Sequence, residues 1–247
     1  MAIRSFTLSE ETQDKVMDLL SEVSLSQYYR SYDWGRDQWK TGFQDIVRLE
    51  CTMIDAARQN SITMDHLLQI AQWSKLRSQN EIQITHQNPS IDLPLYSNGT
   101  YAEWIKDNPA KGIAVLNPQM KYFGKVSQSK LLRFAMPWEY GAIDKRLCQV
   151  FGRGDPASQH TELLSLKVVY NGTRWDLKYQ QTEWPSEYGT WIQILRMIAS
   201  ELNLSGMPCP HPEVMYTRGL RKKGIWECAD VEMALFSFAS KAIGTSR

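Results

Sequence analysis

Apolar residues recur at helical spacing along most of this chain and alternate with period two in only one stretch. That contrast predicts a mainly α fold. Residues 9–23, SEETQDKVMDLLSEV, open on Ser9 as an N-cap and carry acids in the first turn. Residues 39–59 repeat the pattern through Phe43, Ile46, Val47, Leu49, Met53, Ile54 and Ala57. Residues 63–77 read as a third amphipathic helix with Thr63 as cap. Residues 80–98, rich in Asn, Pro and Gly, read as loop. Helical character returns from Thr100 to Ile105 and from Ala110 to Leu116. Two short helical pieces then flank Gly124, and Pro137 stops the second. Residues 186–204 and the strongly apolar 225–242 complete the helical set, joined by a Pro-rich linker over 206–212. The single alternating stretch, 163–181, straddles Asn171-Gly172, a dipeptide that supplies the paired positive φ of a type I′ hairpin.

A chain of 247 residues suits one large domain or two small ones. We expect an N-terminal helical region over 1–98 and a region over 99–247 that carries the β-hairpin and the C-terminal helix, joined as one compact two-lobed unit. No apolar run is long enough to cross a bilayer, so no membrane association is expected. The start, MAIRSFTLSEETQDK, lacks an apolar signal core. Four cysteines stand far apart with no C-x-x-C pair, which points to a reducing, cytoplasmic setting and away from a zinc or iron–sulfur site. His211, between two prolines in PCPHPE, reads as a surface-loop residue. A net charge of +1 argues against a polybasic nucleic-acid binder, although one positive face would suffice for binding. No Gly-rich phosphate loop, H-E-x-x-H or G-x-S-x-G occurs. Nine tryptophans and eleven tyrosines can serve a core or stack on bases.

One constellation remains. From Lys121 to Asp144 the order is short helix end, turn, helix with Leu131, Leu132 and Phe134, proline stop, apolar loop, aspartate. The Gly124 turn exposes successive backbone N–H groups beside a helix start, a combination that holds a phosphate oxygen. A carboxylate one helix later can face the sugar of a flipped nucleotide, where it stabilises positive charge or activates water. Asp144 ahead of Lys145, Arg146 and Leu147 reads equally as a helix cap.

This order resembles the helix-hairpin-helix DNA glycosylases, including the endonuclease III and 8-oxoguanine glycosylase branches. Phe123-Gly124-Lys125-Val126 matches their hairpin turn, with Phe123 in place of the proline and Val126 in place of the second glycine. Ser129 matches the threonine after the turn, Leu131 to Phe134 the hydrophobic helix, and Ala142-Ile143-Asp144 the A-V-D signature. The resemblance implies a helical array with an inserted hairpin that flips a modified base out of double-stranded DNA, excises it without a cofactor, and needs no protein partner. It implies Asp144 as catalytic carboxylate. It implies Gly124, Lys125, Val126, Ser127, Gln128, Ser129 and Arg146 as DNA contacts, and allows a monovalent ion at the turn. Gln128 stands at the place of the lyase lysine. Glutamine forms no Schiff base, so the implied enzyme is monofunctional and leaves an abasic site. Lys130 is the alternative nucleophile if the register shifts. Some bacterial relatives act in antiphage defence on hypermodified phage bases, and the aromatic richness here suits an unusual base. The alternative is a non-catalytic helical module that grips DNA or protein.

Further readings concern flanking residues. Trp138 and Tyr140 can wall a base pocket or sit in the core. Arg146 can pair with Asp144 or contact phosphate. The basic stretch 218–224, RGLRKKG, can track a backbone or lie in solvent. Asp230 and Glu232 read as dipole-complementing residues at the start of the last helix. Tyr170, Trp175 and Tyr179 of the hairpin are expected as a strand-face cluster rather than a wedge.

Overall fold

The computed structural model describes residues 7–85, 90–97 and 100–245. Among them are eleven α-helices and five two-stranded sheets. α1 (Glu10–Glu22) and α2 (Leu25–Arg30) lead into a small ribbon, β1 (Asp33–Trp34) with β2 (Asp37–Gln38). α3 (Gln44–Arg58), β3 (Ile62–Thr63) and α4 (Met64–Trp73) follow, then β4 (Gln83–Ile84), β5 (Ser90–Ile91), β6 (Tyr96–Ser97) and β7 (Thr100–Tyr101). α5 (Trp104–Asp107), α6 (Lys111–Leu116), β8 (Met120–Lys121), α7 (Lys125–Ala135) and α8 (Lys145–Phe151) form the middle of the chain. β9 (Val168–Tyr170), β10 (Trp175–Leu177), α9 (Ser186–Leu204), α10 (Glu213–Thr217) and α11 (Cys228–Thr245) complete it.

Local chemistry explains several of these bounds. Ser9 caps α1, its Oγ accepting the Thr12 N–H at 3.2 Å. At α4 the Thr63 N–H donates to His66 Nδ1 at 3.0 Å, a histidine version of a capping box. α3 is capped from a distance. Its preceding residue, Phe43, lies in the left-handed region at φ 54° and offers no side-chain bond. The buried Asp37 instead accepts the Asp45 and Ile46 N–H groups on one oxygen, at 2.8 and 3.0 Å.

α11 packs on α2, α8 and α9, while α7 packs on α3, α4 and α6. Both groups share one hydrophobic cluster running from Val16 to Ala239. Contacts join the two expected regions: α2 lies on α11, α3 on α7, and β4 pairs with β8. The loop expected over 80–98 contains short strands, β5 against β3 and β4 against β8; its residues 86–89 and 98 lie outside the described set. The helix expected from Thr100 is a strand at 100–101 and a short helix from Trp104.

The hairpin forms where it is expected, with a different turn. Tyr170 pairs with Trp175, so four residues close it. Gly172 takes φ 89°, but Asn171 does not adopt the left-handed conformation. Its side-chain oxygen accepts the Thr173 and Arg174 N–H groups, while its own N–H donates to the Arg174 carbonyl at 3.0 Å.

The largest departure from sequence expectation is a buried charge network. Glu50 on α3 accepts Arg133 Nη1 at 2.7 Å and Arg221 Nη2 at 3.0 Å on Oε1, and Arg221 Nη1 at 2.8 Å on Oε2. Arg221 Nε donates to both oxygens of Asp230, at 2.9 and 3.1 Å. His211 Nε2 meets Asp230 at 3.1 Å. His211 is thus buried rather than a surface-loop residue, and Arg221 is the buried member of the 218–224 stretch. Asp230 and Glu232 are interior ion-pair residues rather than exposed dipole partners, because α11 turns that face toward two arginines.

Candidate active site

Helix α7 begins at Gly124 and presents Lys130 inward. The chain then passes Pro137 and runs through the interior to Asp144. Buried side chains pin that loop. Tyr188 Oη donates to the Gly141 carbonyl at 3.1 Å, and Trp191 Nε1 to the Ala142 carbonyl at 2.9 Å. The Ile143 N–H donates to Ser129 Oγ at 3.1 Å. Gly141 lies so close to α11 that a Cβ there would meet Glu232 Cβ at 2.9 Å and Leu195 Cδ1 at 2.3 Å. This close approach seats the loop beside Glu232.

Asp144 caps α8. Its Oδ1 accepts the Arg146 N–H at 2.8 Å and the Leu147 N–H at 3.1 Å. Oδ2 takes no hydrogen bond from the described residues. Cap and site are therefore one arrangement: the helix start fixes the carboxylate, and the carboxylate borders a pocket. Tyr32, Trp34, Trp73, Lys130, Glu232 and Phe236 line that pocket with it, beside Ala142. The space among these atoms is about 300 Å³, with room at its centre for about one water.

Lys130 lines the pocket beside the two tryptophans. Its Nζ lies 5.7 Å from the Trp34 ring centre and 5.3 Å from that of Trp73. No hydrogen bond or ion pair joins it to another described residue. Burial lowers its pKa below the ordinary lysine value, outweighing the pull of Asp144 and Glu232; the Arg146 guanidinium pushes the same way. Burial pushes the Glu232 carboxyl up to about 7, against Arg133 and with the help of Asp144.

The tryptophan walls are held by hydrogen bonds. Trp34 Nε1 donates to the Trp73 carbonyl at 3.0 Å, and Trp73 Nε1 to Asp37 Oδ2 at 2.7 Å. Asp37 thus positions Trp73 with one oxygen and caps α3 with the other. Its burial raises its pKa despite these bonds.

The expected site residues divide. Lys130 and Asp144 meet in the pocket. The Arg146 guanidinium stacks at its edge over Trp34 and Phe236, at 5.6 and 5.1 Å, and makes no ion pair with Asp144. Ser129 is fully buried and spends its hydroxyl on the Val126 carbonyl and the Ile143 N–H, so it ties α7 to the Asp144 loop rather than meeting a phosphate. Gly124, Lys125, Val126, Ser127 and Gln128 border a separate groove, although Ser127 and Gln128 are themselves buried. Tyr140 is no base wall. It is fully buried, its hydroxyl reaches the Pro109 carbonyl at 3.4 Å, and its ring lies parallel to Tyr188. Trp138 packs partly buried against the core and does not line the pocket, because the post-Pro137 segment runs inward rather than around the rim. Tyr170 and Trp175 form the expected cross-strand pair at 5.5 Å, whereas Tyr179 stands 88% exposed apart from them.

The walls that do line the pocket come from three distant segments. Trp34, Trp73 and Phe236 carry no local signature beyond aromatic character. Glu232, four residues before Phe236 and hence on the same helix face, offered the one available signal. Cys209, His211 and Asp230 also place potential ligand atoms within 4.8 Å of one another, but both Asp230 oxygens are occupied by the Arg221 guanidinium. A cation there would face that fixed positive charge. Compared with known proteins, the chain matches no family model, no curated protein and no solved structure.

Proposed function

We propose that the chain is a DNA glycosylase of the helix-hairpin-helix type, with Lys130 as amine nucleophile and Asp144 as the carboxylate bordering the same pocket. The observation that carries this reading is the convergence of a desolvated, unpaired lysine and a fixed carboxylate in one aromatic-walled pocket, behind a helix that starts at an open turn. In this reading a modified base leaves duplex DNA and enters between the tryptophan rings. Entry requires Lys130 to withdraw from those rings, since the pocket now admits only about one water.

The lowered pKa of Lys130 raises the fraction present as free amine. That amine attacks C1′ as the N-glycosidic bond breaks and the base departs with its electron pair. Asp144 stabilises the positive charge that develops on the sugar. Opening of the sugar ring gives a Schiff base on Lys130, which permits loss of the 3′ phosphate by elimination. Gln128, favoured by the sequence register, borders the groove rather than this pocket, so the arrangement supports the lysine-dependent form of the reaction over the monofunctional one.

A screen of duplexes carrying modified bases, with released bases read by mass spectrometry and strand nicking on gels, tests this. The parent protein releases a base and nicks. Lys130→Ala loses base release together with nicking and covalent capture, while Asp144→Asn loses base release and retains DNA binding. Full excision by Asp144→Asn would overturn the mechanism. The narrow pocket favours one second reading, a module that grips DNA without chemistry. It predicts binding with no base released from any duplex.

A further inference from the structure

We infer that Glu232 is the proton shuttle of the pocket, carrying a proton from the Lys130 nitrogen to the sugar ring oxygen as the ring opens. The inference rests on the proposed Lys130 chemistry and gives a role to a buried carboxylate that this chemistry does not otherwise use.

Glu232 is buried on α11 and lines the pocket with Lys130 and Asp144. Its Oε2 lies 3.6 Å from Arg133 Nε, beyond hydrogen-bond length, and no described residue donates a hydrogen bond to it. Arg133 does not depend on that contact, because Glu50 Oε1 already accepts Arg133 Nη1 at 2.7 Å. A carboxylate buried with so loose a partner, facing a reactive amine, is placed for proton transfer rather than for stability. The groups that face it are Lys130 and Arg133 on α7, Asp144 ahead of α8, Tyr32 after α2 and Tyr188 on α9. Arg146 of α8 stacks over Phe236, one turn along α11. Among these, Asp144 is anchored by two backbone N–H groups, which suits a stationary charge beside the sugar. Glu232 has a longer arm and no such anchor. Burial brings its pKa to about 7, so acid and carboxylate are both populated near neutrality.

The step balances without an outside reagent. Once Lys130 has bonded to C1′, its nitrogen carries two hydrogens and a positive charge. The Glu232 carboxylate removes one hydrogen as a proton. The nitrogen electron pair then forms the C1′=N bond, and the C1′–O4′ bond breaks with its electron pair left on O4′. The Glu232 acid returns the proton to O4′. A protonated Schiff base and a ring-opened hydroxyl result, and Glu232 is a carboxylate again.

A duplex carrying one abasic site tests this step, because its sugar reaches the same Lys130 adduct without a base to recognise. Single-turnover trapping with sodium cyanoborohydride is followed across neutral pH, and binding is read by fluorescence anisotropy. Glu232→Gln should trap about a hundredfold more slowly and lose an inflection near pH 7 that the parent shows, with duplex affinity unchanged. Glu232→Asp, which keeps the carboxylate, should retain the inflection. Thermal melts confirm folding, expected while Arg133 keeps Glu50. A parent-like rate and profile in Glu232→Gln would overturn the inference and leave the Lys130 reading standing. A slower rate with the inflection intact would overturn it too, by making Glu232 a structural residue. No adduct with the parent protein, or undiminished trapping by Lys130→Ala, would overturn the Lys130 reading and this step with it.

Discussion

Lys130 and Arg133 lie one turn apart on α7, Lys130 half-buried and Arg133 fully buried, and their surroundings differ in kind. Arg133 joins Glu50, Arg221 and Asp230 in a network where each buried charge has a partner at hydrogen-bond distance. Burial alone would raise the Asp230 carboxyl, but Arg221 and His211 overcome it and hold it down at about 2. Lys130 has two aromatic rings, no ion-pair partner and a lowered pKa. The network locks α3, α7 and α11 together. The pocket keeps one amine poorly solvated and titratable, the condition an amine nucleophile requires. Glu232 touches both regions, 3.6 Å from Arg133 and bordering the pocket.

Removing a partner from the network should have the largest effect. Glu50→Ala leaves two buried guanidiniums short of a counter-charge and should cost about 3–5 kcal/mol, read as a lowered urea midpoint. Asp37→Ala should come next, at about 2–3 kcal/mol, because it removes the α3 cap and the Trp73 partner together. Its folded state should also show altered tryptophan fluorescence, which a loss of cap alone would not produce.

The pH dependence should carry two contributions of opposite sign. The Glu232 carboxyl is raised from 4.5 to about 7, so its contribution to stability is full below about 4.5 and is lost as pH rises through about 7. Asp230, held at about 2, contributes above its ordinary value and loses that contribution as pH falls toward 2. Thermal melts should therefore show stability declining from about pH 5 to pH 8, with a flatter profile in Glu232→Gln. An equal slope in that variant would assign the dependence elsewhere. The smallest effect belongs to Lys130→Met. Replacing a desolvated, unpaired ammonium by an apolar chain of similar length should leave stability unchanged or raise it by about 1 kcal/mol. A marked loss would show that Lys130 is structural and would draw the pocket back into the network's class.

The sequence made the frame legible and left the pocket walls hidden, for physical reasons. The bounds of α9 and the cap at Ser9 follow from periodicity and a short polar side chain, both local. Asp144 was legible as a cap, and the same carboxylate borders the pocket. Trp34, Trp73 and Phe236 were not legible because an aromatic residue gives the same signal in a core and in a pocket wall. Trp138 and Tyr140 offered two readings, base wall or core, because nearness in sequence to Asp144 does not fix direction, and the loop's inward path takes Tyr140 into the core. Arg221 and Asp230 lie in segments whose charge suggested solvent, and only their mutual pairing makes burial tolerable.

In the proposed reaction Lys130 is the amine that meets the sugar. Incubation with a base-modified duplex and sodium borohydride, followed by nuclease, trypsin and mass spectrometry, locates the adduct. The prediction is a reduced sugar on Lys130 within an uncleaved Val126–Arg133 peptide, absent from Asp144→Asn. An adduct on Lys125 or elsewhere, or base release with no adduct at all, would contradict it.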